Sequence, residues 1–288
     1  MKTFLLFAAL LISVPFVAAQ EPLRVIVFGA HPDDPESAGG LAALYAQMGH
    51  KVKFVTLTNG NKGHQTMKSD ELAVRRHKEA MDAGRILGVE YTVMNNSDGE
   101  LMPTLENRFA VIKLICDWKA DIVITHRPND YHPDHRYTSI IVQDAAYMIS
   151  VPKMIPDGEP LLRAPVFLYM SDGFQKPTPF SPDIVVDVTP TIRKKAEAMA
   201  AHESQMFEWL PWNRGNAVTP PSELPARKKE YIDRYVERNN IDRYREAALN
   251  WYTADQLKNV RVVEVYEICE YGSRPNKARI KQLFPMLP

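Results

Sequence analysis

Between residues 23 and 149, short apolar runs alternate with longer stretches of helical periodicity, and that alternation leaves few folds open. Val25-Ile26-Val27-Phe28, Lys51–Thr58, Tyr91–Met94 and Asp121–His126 read as strands. Residues 37–48, Asp70–Leu87, Leu105–Trp118 and Asp134–Ile149 read as helices. The second helix shows the pattern: Leu72, Ala73, Ala80, Ala83, Ile86 and Leu87 form an apolar stripe among charged residues, and Gly88 ends it. Strands alternating with helices of this length predict a parallel sheet covered on both faces and joined by right-handed crossovers. The expected fold is therefore α/β, a Rossmann-like, mostly parallel sheet with helices on both faces and a C-terminal elaboration.

After Ser150 the texture changes. Prolines at 152, 156, 160, 165, 177, 179 and 182 bracket two strand-like runs, Val166–Met170 and Ile184–Val188. Thr189-Pro190 resembles an N-cap followed by a first-turn proline and predicts a helix to about Phe207. Pro211–Pro225 is loop-like, residues 226–250 are charged and helical, and Val260–Ile268 alternates apolar and charged residues like an edge strand. With no internal repeat or low-complexity linker, one domain is expected over 23–288, with a core to about 207 and an elaboration over 208–288.

The N-terminal residues predict a targeting segment. Lys2, the apolar stretch Phe4–Val17 and the small residues of Val17-Ala18-Ala19 read as a signal peptide over 1–19, with the mature chain starting at Gln20. The apolar stretch is short for a span, so an exported protein, periplasmic or secreted and without a membrane anchor, is expected. Charge is balanced, with 35 basic and 35 acidic residues, which removes any global electrostatic reason to bind nucleic acid. Cys116 and Cys269 lie in apolar segments and read as free buried thiols. Neither has metal-type spacing, so any metal must be held by nitrogen and oxygen.

Two clusters carry the chemistry. Ala30-His31-Pro32-Asp33-Asp34 follows the first strand, and His132-Pro133-Asp134-His135 follows the fourth. Ligands in open α/β sheets gather beyond the carboxyl ends of the strands, so both clusters can reach one crevice. Three histidines and three carboxylates exceed the three protein ligands of a hydrolytic zinc site and leave groups free to move protons. One of the paired aspartates can bind metal while its neighbour takes a proton from water. One of His132 and His135 can bind while the other stabilises an oxyanion, and Asp134 can fix the tautomer of an imidazole. Both clusters also stand at helix starts, where Asp33, Asp34 and Asp134 can serve simply as caps. Gly39-Gly40 lacks the spacing of a phosphate-binding loop.

Taken together, AHPDDPESAGG at 30–40 and HPDH at 132–135 resemble the signatures of the PIG-L/LmbE family of zinc-dependent de-N-acetylases. Similarity continues through Thr58-Asn59-Gly60, residues 75–89, Ser97-Asp98-Gly99 and residues 186–205, with a slightly shorter segment between Glu36 and Gly39. The resemblance implies one zinc per chain on His31, Asp34 and His135, with iron(II) or cobalt(II) able to replace it. It also implies Asp33 as general base and His132 as oxyanion stabiliser or proton donor, tuned by Asp134. The implied substrate is an N-acetylated sugar, glycan or glycolipid of the N-acetylglucosamine type, which loses acetate. Amide hydrolysis of another conjugate, such as a thiol–sugar, and a non-catalytic carbohydrate-binding role are the alternatives. Asn59, His64, Arg127 and Asn129, close to the clusters or at a strand exit, are candidate substrate contacts; Glu36 and His202 are expected near the metal; Trp209 and Trp212 can stack on a sugar.

Overall fold

A computed structural model describes residues 21–155 and 158–288; the expected signal peptide over 1–19 lies outside the described residues. Seven strands form one sheet: β1 (Arg24–Gly29), β2 (Lys51–Thr58), β3 (Glu90–Asn96), β4 (Ile122–Thr125), β5 (Val166–Met170), β6 (Ile184–Asp187) and β7 (Val263–Cys269). The spatial order is β3-β2-β1-β4-β5-β7-β6. The first five strands are parallel, and β7 runs antiparallel to both β5 and β6.

Side-chain alternation divides the core into two layers. Val25, Val27, Phe54 and Ile124 face α1 (Gly39–Gln47), α2 (Ser69–Leu87) and α5 (Ile192–Ala201). Ile26, Phe28, Val55 and Val123 face α3 (Leu105–Trp118) and α4 (Pro133–Met148). Gly88 ends α2 with φ +80°, the left-handed cap that its position in the sequence predicts. The remaining helices, α6 (Leu210–Asn213), α7 (Leu224–Val236), α8 (Ile241–Ala248) and α9 (Lys277–Leu283), belong to the C-terminal part. No described helix is long and apolar enough to cross a membrane.

Two expectations are corrected and a third, the helical reading of 226–250, is borne out with a break. Val263–Cys269 is an interior strand and not an edge strand, since β7 lies between β5 and β6. Its alternating charges are not a solvent face: buried Glu264 pairs with Lys195, and Glu267 approaches Arg127 and accepts from the Ser181 N–H. The helix expected from Thr189 to Phe207 starts at Ile192 and stops at Ala201; Thr189 Oγ1 instead accepts backbone N–H groups of Arg261 and Val262. A π-helical turn, Ser204–Trp209, follows after a break at His202. The region 226–250 is two helices, with Asn240 between them bonding both ways to Val263. Cys116 and Cys269 are buried and free, as expected.

The strand order reverses between β1 and β4. Their carboxyl ends lie side by side, and that switch point is where a doubly wound sheet opens a crevice.

Candidate active site

The chain leaving β1 turns at once. A Cβ on Gly29 would stand 2.6 Å from Asp34 Cβ, so the turn needs glycine there. Asp34 folds back, and its Oδ2 accepts the N–H groups of Ala30 (2.9 Å) and His31 (2.7 Å). Asp33, between them in the turn, has φ 125°, a left-handed conformation rare for aspartate. After β4, Asp130 Oδ1 accepts the His132 N–H, and His132 N-caps α4 through Nδ1, which accepts the Asp134 N–H at 3.2 Å.

These turns bring three atoms together. His31 Nδ1 and Asp34 Oδ2 are 3.4 Å apart, His135 Nε2 and Asp34 Oδ2 3.4 Å, and the two histidine nitrogens 3.3 Å. Tetrahedral zinc with ligands at about 2.0–2.1 Å has edges of about 3.3–3.4 Å, so the triangle fits such an ion. The far ring atoms support this. His31 Nε2 faces Asp134 (3.1 Å) and Asp98 (3.2 Å), and His135 Nδ1 faces Asp130 (3.2 Å). Carboxylates at those nitrogens hold the protons there and leave both inward nitrogens with lone pairs. Two lone pairs and a carboxylate oxygen in contact repel one another unless a cation sits among them. His126 also lies 3.4 Å from Asp34 Oδ2, but its Nε2 faces the Ala30 N–H at 3.2 Å. Burial alone would lower the His31 pKa, yet Asp134, Asp34 and Asp98 hold it well above its ordinary value. The centre attracts positive charge.

Beside the triangle stands Asp33. Its Oδ1 accepts from Arg76 Nη2 at 2.8 Å, and the same nitrogen bonds the Pro32 carbonyl. Burial raises the Asp33 pKa to about 6, with Arg76 acting in the opposite direction. His132 is pulled below its ordinary value, by burial and then by the neighbouring His31 and His135. Asp134 was expected to tune His132, but its carboxylate bonds His31 and the N–H groups of Gly99 (2.7 Å) and Leu101 (3.2 Å). Toward His132 it offers its backbone N–H and, through space, a charge that favours the protonated imidazole without outweighing burial, His31 and His135. Asp134 therefore orients the proposed ligand His31.

The triad, Asp33 and His132 line a cavity of about 320 Å³ with Arg76, Asp98, Gln205 and Trp209 in its wall. None of Asn59, His64, Arg127 and Asn129 lines it among the described residues. Asn59 bonds Asn95 and the Asn61 N–H. His64 Nε2 meets Glu208 at 2.8 Å while its Nδ1 accepts two backbone N–H groups. Arg127 is buried against Asp172 and the carbonyls of Phe174 and Thr178. Asn129 lies in the segment between β4 and α4. Glu36 and His202 form a buried pair at 2.7 Å behind the site and not in it. Asp130 and His126 were assigned no site role from sequence, and Arg76, Asp98 and Gln205 were read only as parts of the stretches 75–89, Ser97-Asp98-Gly99 and 186–205 that carry the family resemblance. The signal for Asp130 was its place two residues before His132, as an Asx turn would require.

A Rossmann-like sheet with a metal-type centre at its switch point defines a class of α/β proteins in which the turns leaving the strands hold the chemistry. Residues 26–146 match the family model of PIG-L, GlcNAc-PI de-N-acetylase, the family that the two signatures resemble. It is similar to diacetylchitobiose deacetylase of Thermococcus kodakarensis, 28% identical over 74% of this chain and 84% of the relative. It is also similar to 4-oxalmesaconate hydratase of Pseudomonas putida, 25% identical over 66% of this chain and 76% of the relative. The solved N,N'-diacetylchitobiose deacetylase of Pyrococcus horikoshii shares the fold, with TM-score 0.63, 22% identity, and coverage of 87% of this chain and 85% of that one.

Proposed function

We propose that this protein hydrolyses the acetamido group of an N-acetylglucosamine-type sugar or glycoconjugate, releasing acetate and a free amine, with zinc on His31, Asp34 and His135. The observation that carries the reading is three converging lone-pair donors beside a fourth group, Asp33, that is held apart from them by Arg76. Zinc bound there supplies positive charge that polarises the amide carbonyl and makes water easier to deprotonate near neutrality; iron(II) or cobalt(II) suits the same donors.

The residues divide the proton work. Asp33, with a pKa near 6, is mostly ionised at pH 7 and takes a proton from water as it attacks the carbonyl carbon. His132 is neutral with Nδ1 accepting from the backbone, so its proton sits on Nε2, from which it donates to the carbonyl oxygen as that oxygen gains charge. Protonated Asp33 then returns the proton to the departing amine. The deacetylase relative's name, with its disaccharide substrate, supports the sugar class. The apolar, signal-like sequence of 1–19 supports the reading that the substrate is a glycan or glycolipid outside the cytosol.

The test is acetate release by zinc-loaded protein from N-acetylglucosamine, diacetylchitobiose and N-acetylglucosaminyl conjugates. Release from at least one is expected. Addition of water to a double bond, the reaction class of a hydratase, releases no acetate, so silence across the panel overturns the reading.

A further inference from the structure

Of the four tryptophans, Trp118 and Trp251 donate their indole N–H groups to the Val25 and Asp183 carbonyls. Trp209 and Trp212 have no such partner among the described residues. They stack on each other with centroids 5.4 Å apart and planes at 23°, and Trp212 is 49% exposed. Trp209 lines the catalytic cavity, so the pair runs from that cavity outward. Large aromatic rings left in water next to a pocket mark a surface kept for a ligand.

The cavity itself is small. About 320 Å³ lies at the low end of ligand sites, room for one sugar ring, and a larger substrate must leave over the rim. The rim carrying the tryptophans is rigid. Glu208, next to Trp209, is clamped by Arg75 (2.9 and 2.5 Å) and His64 (2.8 Å). Gln205 bonds the Gly63 carbonyl, and Ser204 is held by Glu79. Beyond Trp212, the N–H of Gly215 closes on the Trp212 carbonyl at 2.9 Å. Such anchoring removes the ordering penalty of an aromatic platform before any ligand arrives.

We propose that Trp209 and Trp212 stack the sugar ring next to the one deacetylated, so that the substrate is an N-acetylated oligosaccharide of at least two rings. The inference rests on the deacetylase reading and deepens it. The apolar face of a pyranose covers an indole, while the free indole N–H groups can donate to ring hydroxyls at the edge of the stack.

The experiment compares kcat/KM for N-acetylglucosamine, diacetylchitobiose and triacetylchitotriose in the wild type, Trp212→Ala and Trp212→Phe, all zinc-loaded. Tryptophan emission is followed as triacetylchitotriose is added. The wild type should favour the oligosaccharides, and Trp212→Ala should cut that preference by roughly 2- to 12-fold, the worth of one aromatic contact, through KM. Trp212→Phe should keep most of it. A preference unchanged in Trp212→Ala, or an equal fall on monosaccharide and oligosaccharide, overturns the platform. An emission change that needs Trp212 but no acetate from any substrate would sink the reaction and leave the platform standing. Neither signal would sink both.

Discussion

Asp33 occupies a backbone conformation that disfavours any side chain, a strain of roughly 1–3 kcal/mol by the usual scale. Arg76 holds it there by gripping both the carboxylate and the preceding carbonyl. Asp33→Asn keeps the size and loses the base, so kcat should fall at least ~10²-fold while zinc stays at one equivalent. Metal analysis and turnover on the same sample check this; lost metal would make Asp33 a ligand. His132 gives a second residue-level prediction. As a neutral donor to an oxyanion it should be worth about 10²–10³ in kcat, so His132→Ala should lose that much with zinc retained. Near-normal turnover in the zinc-loaded variant would reduce it to a cap of α4. His31, Asp33, Asp34, His132 and His135 were legible because each lies in a contiguous cluster at a strand exit. Arg76, Asp98 and Asp130 were given no role from sequence, because Arg76 and Asp98 are defined by partners distant in the chain and Asp130 by an Asx turn common in loops. Asp134 acts on His132 through its charge alone, because neighbours in sequence diverge across a turn and the carboxylate's hydrogen bond goes to His31, 103 residues away.

At the scale of elements, the strands and helices from β1 to α4 followed from periodicity, because each buries one stripe or both faces in a sheet. The π-helical turn at 204–209 did not. Its bonding to residues five apart leaves no mark in a 3.6-residue pattern, and the break before it comes from His202 turning in to Glu36. That turn places Gln205 and Trp209 in the cavity wall while Met206 and Phe207 face the other way, toward α7. Its pin is Glu208. Burial pushes the Glu208 carboxyl up, but Arg75 and His64 hold it below its ordinary value, so it is ionised and bound. Glu208→Ala should free the turn: amide protons of 204–213 should exchange faster, and KM for an N-acetylated disaccharide should rise several-fold with kcat little changed. Unaltered exchange would show that Ser204 and Gln205 suffice to hold the turn.

The whole molecule is locked at one point by residues far apart in the chain. Gly40 and Leu41 open α1, and their N–H groups donate at 2.8 Å to the two oxygens of Glu264 on β7. A Cβ on Gly40 would lie 2.7 Å from Val188 and 2.8 Å from Glu264, which explains the glycine and shows those N–H groups taken by protein and not by a phosphate. Lys195 of α5 completes the lock, reaching Glu264 and the Ser37 carbonyl at 2.6 Å each. The C-terminal strand, read from sequence as a peripheral edge, thus fixes the first helix of the active-site turn. Removing Lys195 leaves a buried carboxylate held only by neutral donors, the Gly40 and Leu41 N–H groups and the Tyr266 hydroxyl. Lys195→Met should lower stability in urea at pH 7 by about 3–5 kcal/mol. The pH dependence has a definite sign. Burial lowers the Lys195 pKa, but Glu264 overrides it and the folded value stands above the ordinary one. The pair's contribution is therefore complete below the unfolded-state value of about 10.4 and is lost as pH rises through the higher folded value. The gap between wild type and Lys195→Met should stay constant from pH 7 to about pH 10 and narrow above that, because the wild-type lysine then loses its charge as well. A gap under about 1 kcal/mol at pH 7 would place the lock among ordinary surface pairs; a gap that persists undiminished into strong alkali would mean that Lys195 acts through packing of its stem and not through its charge.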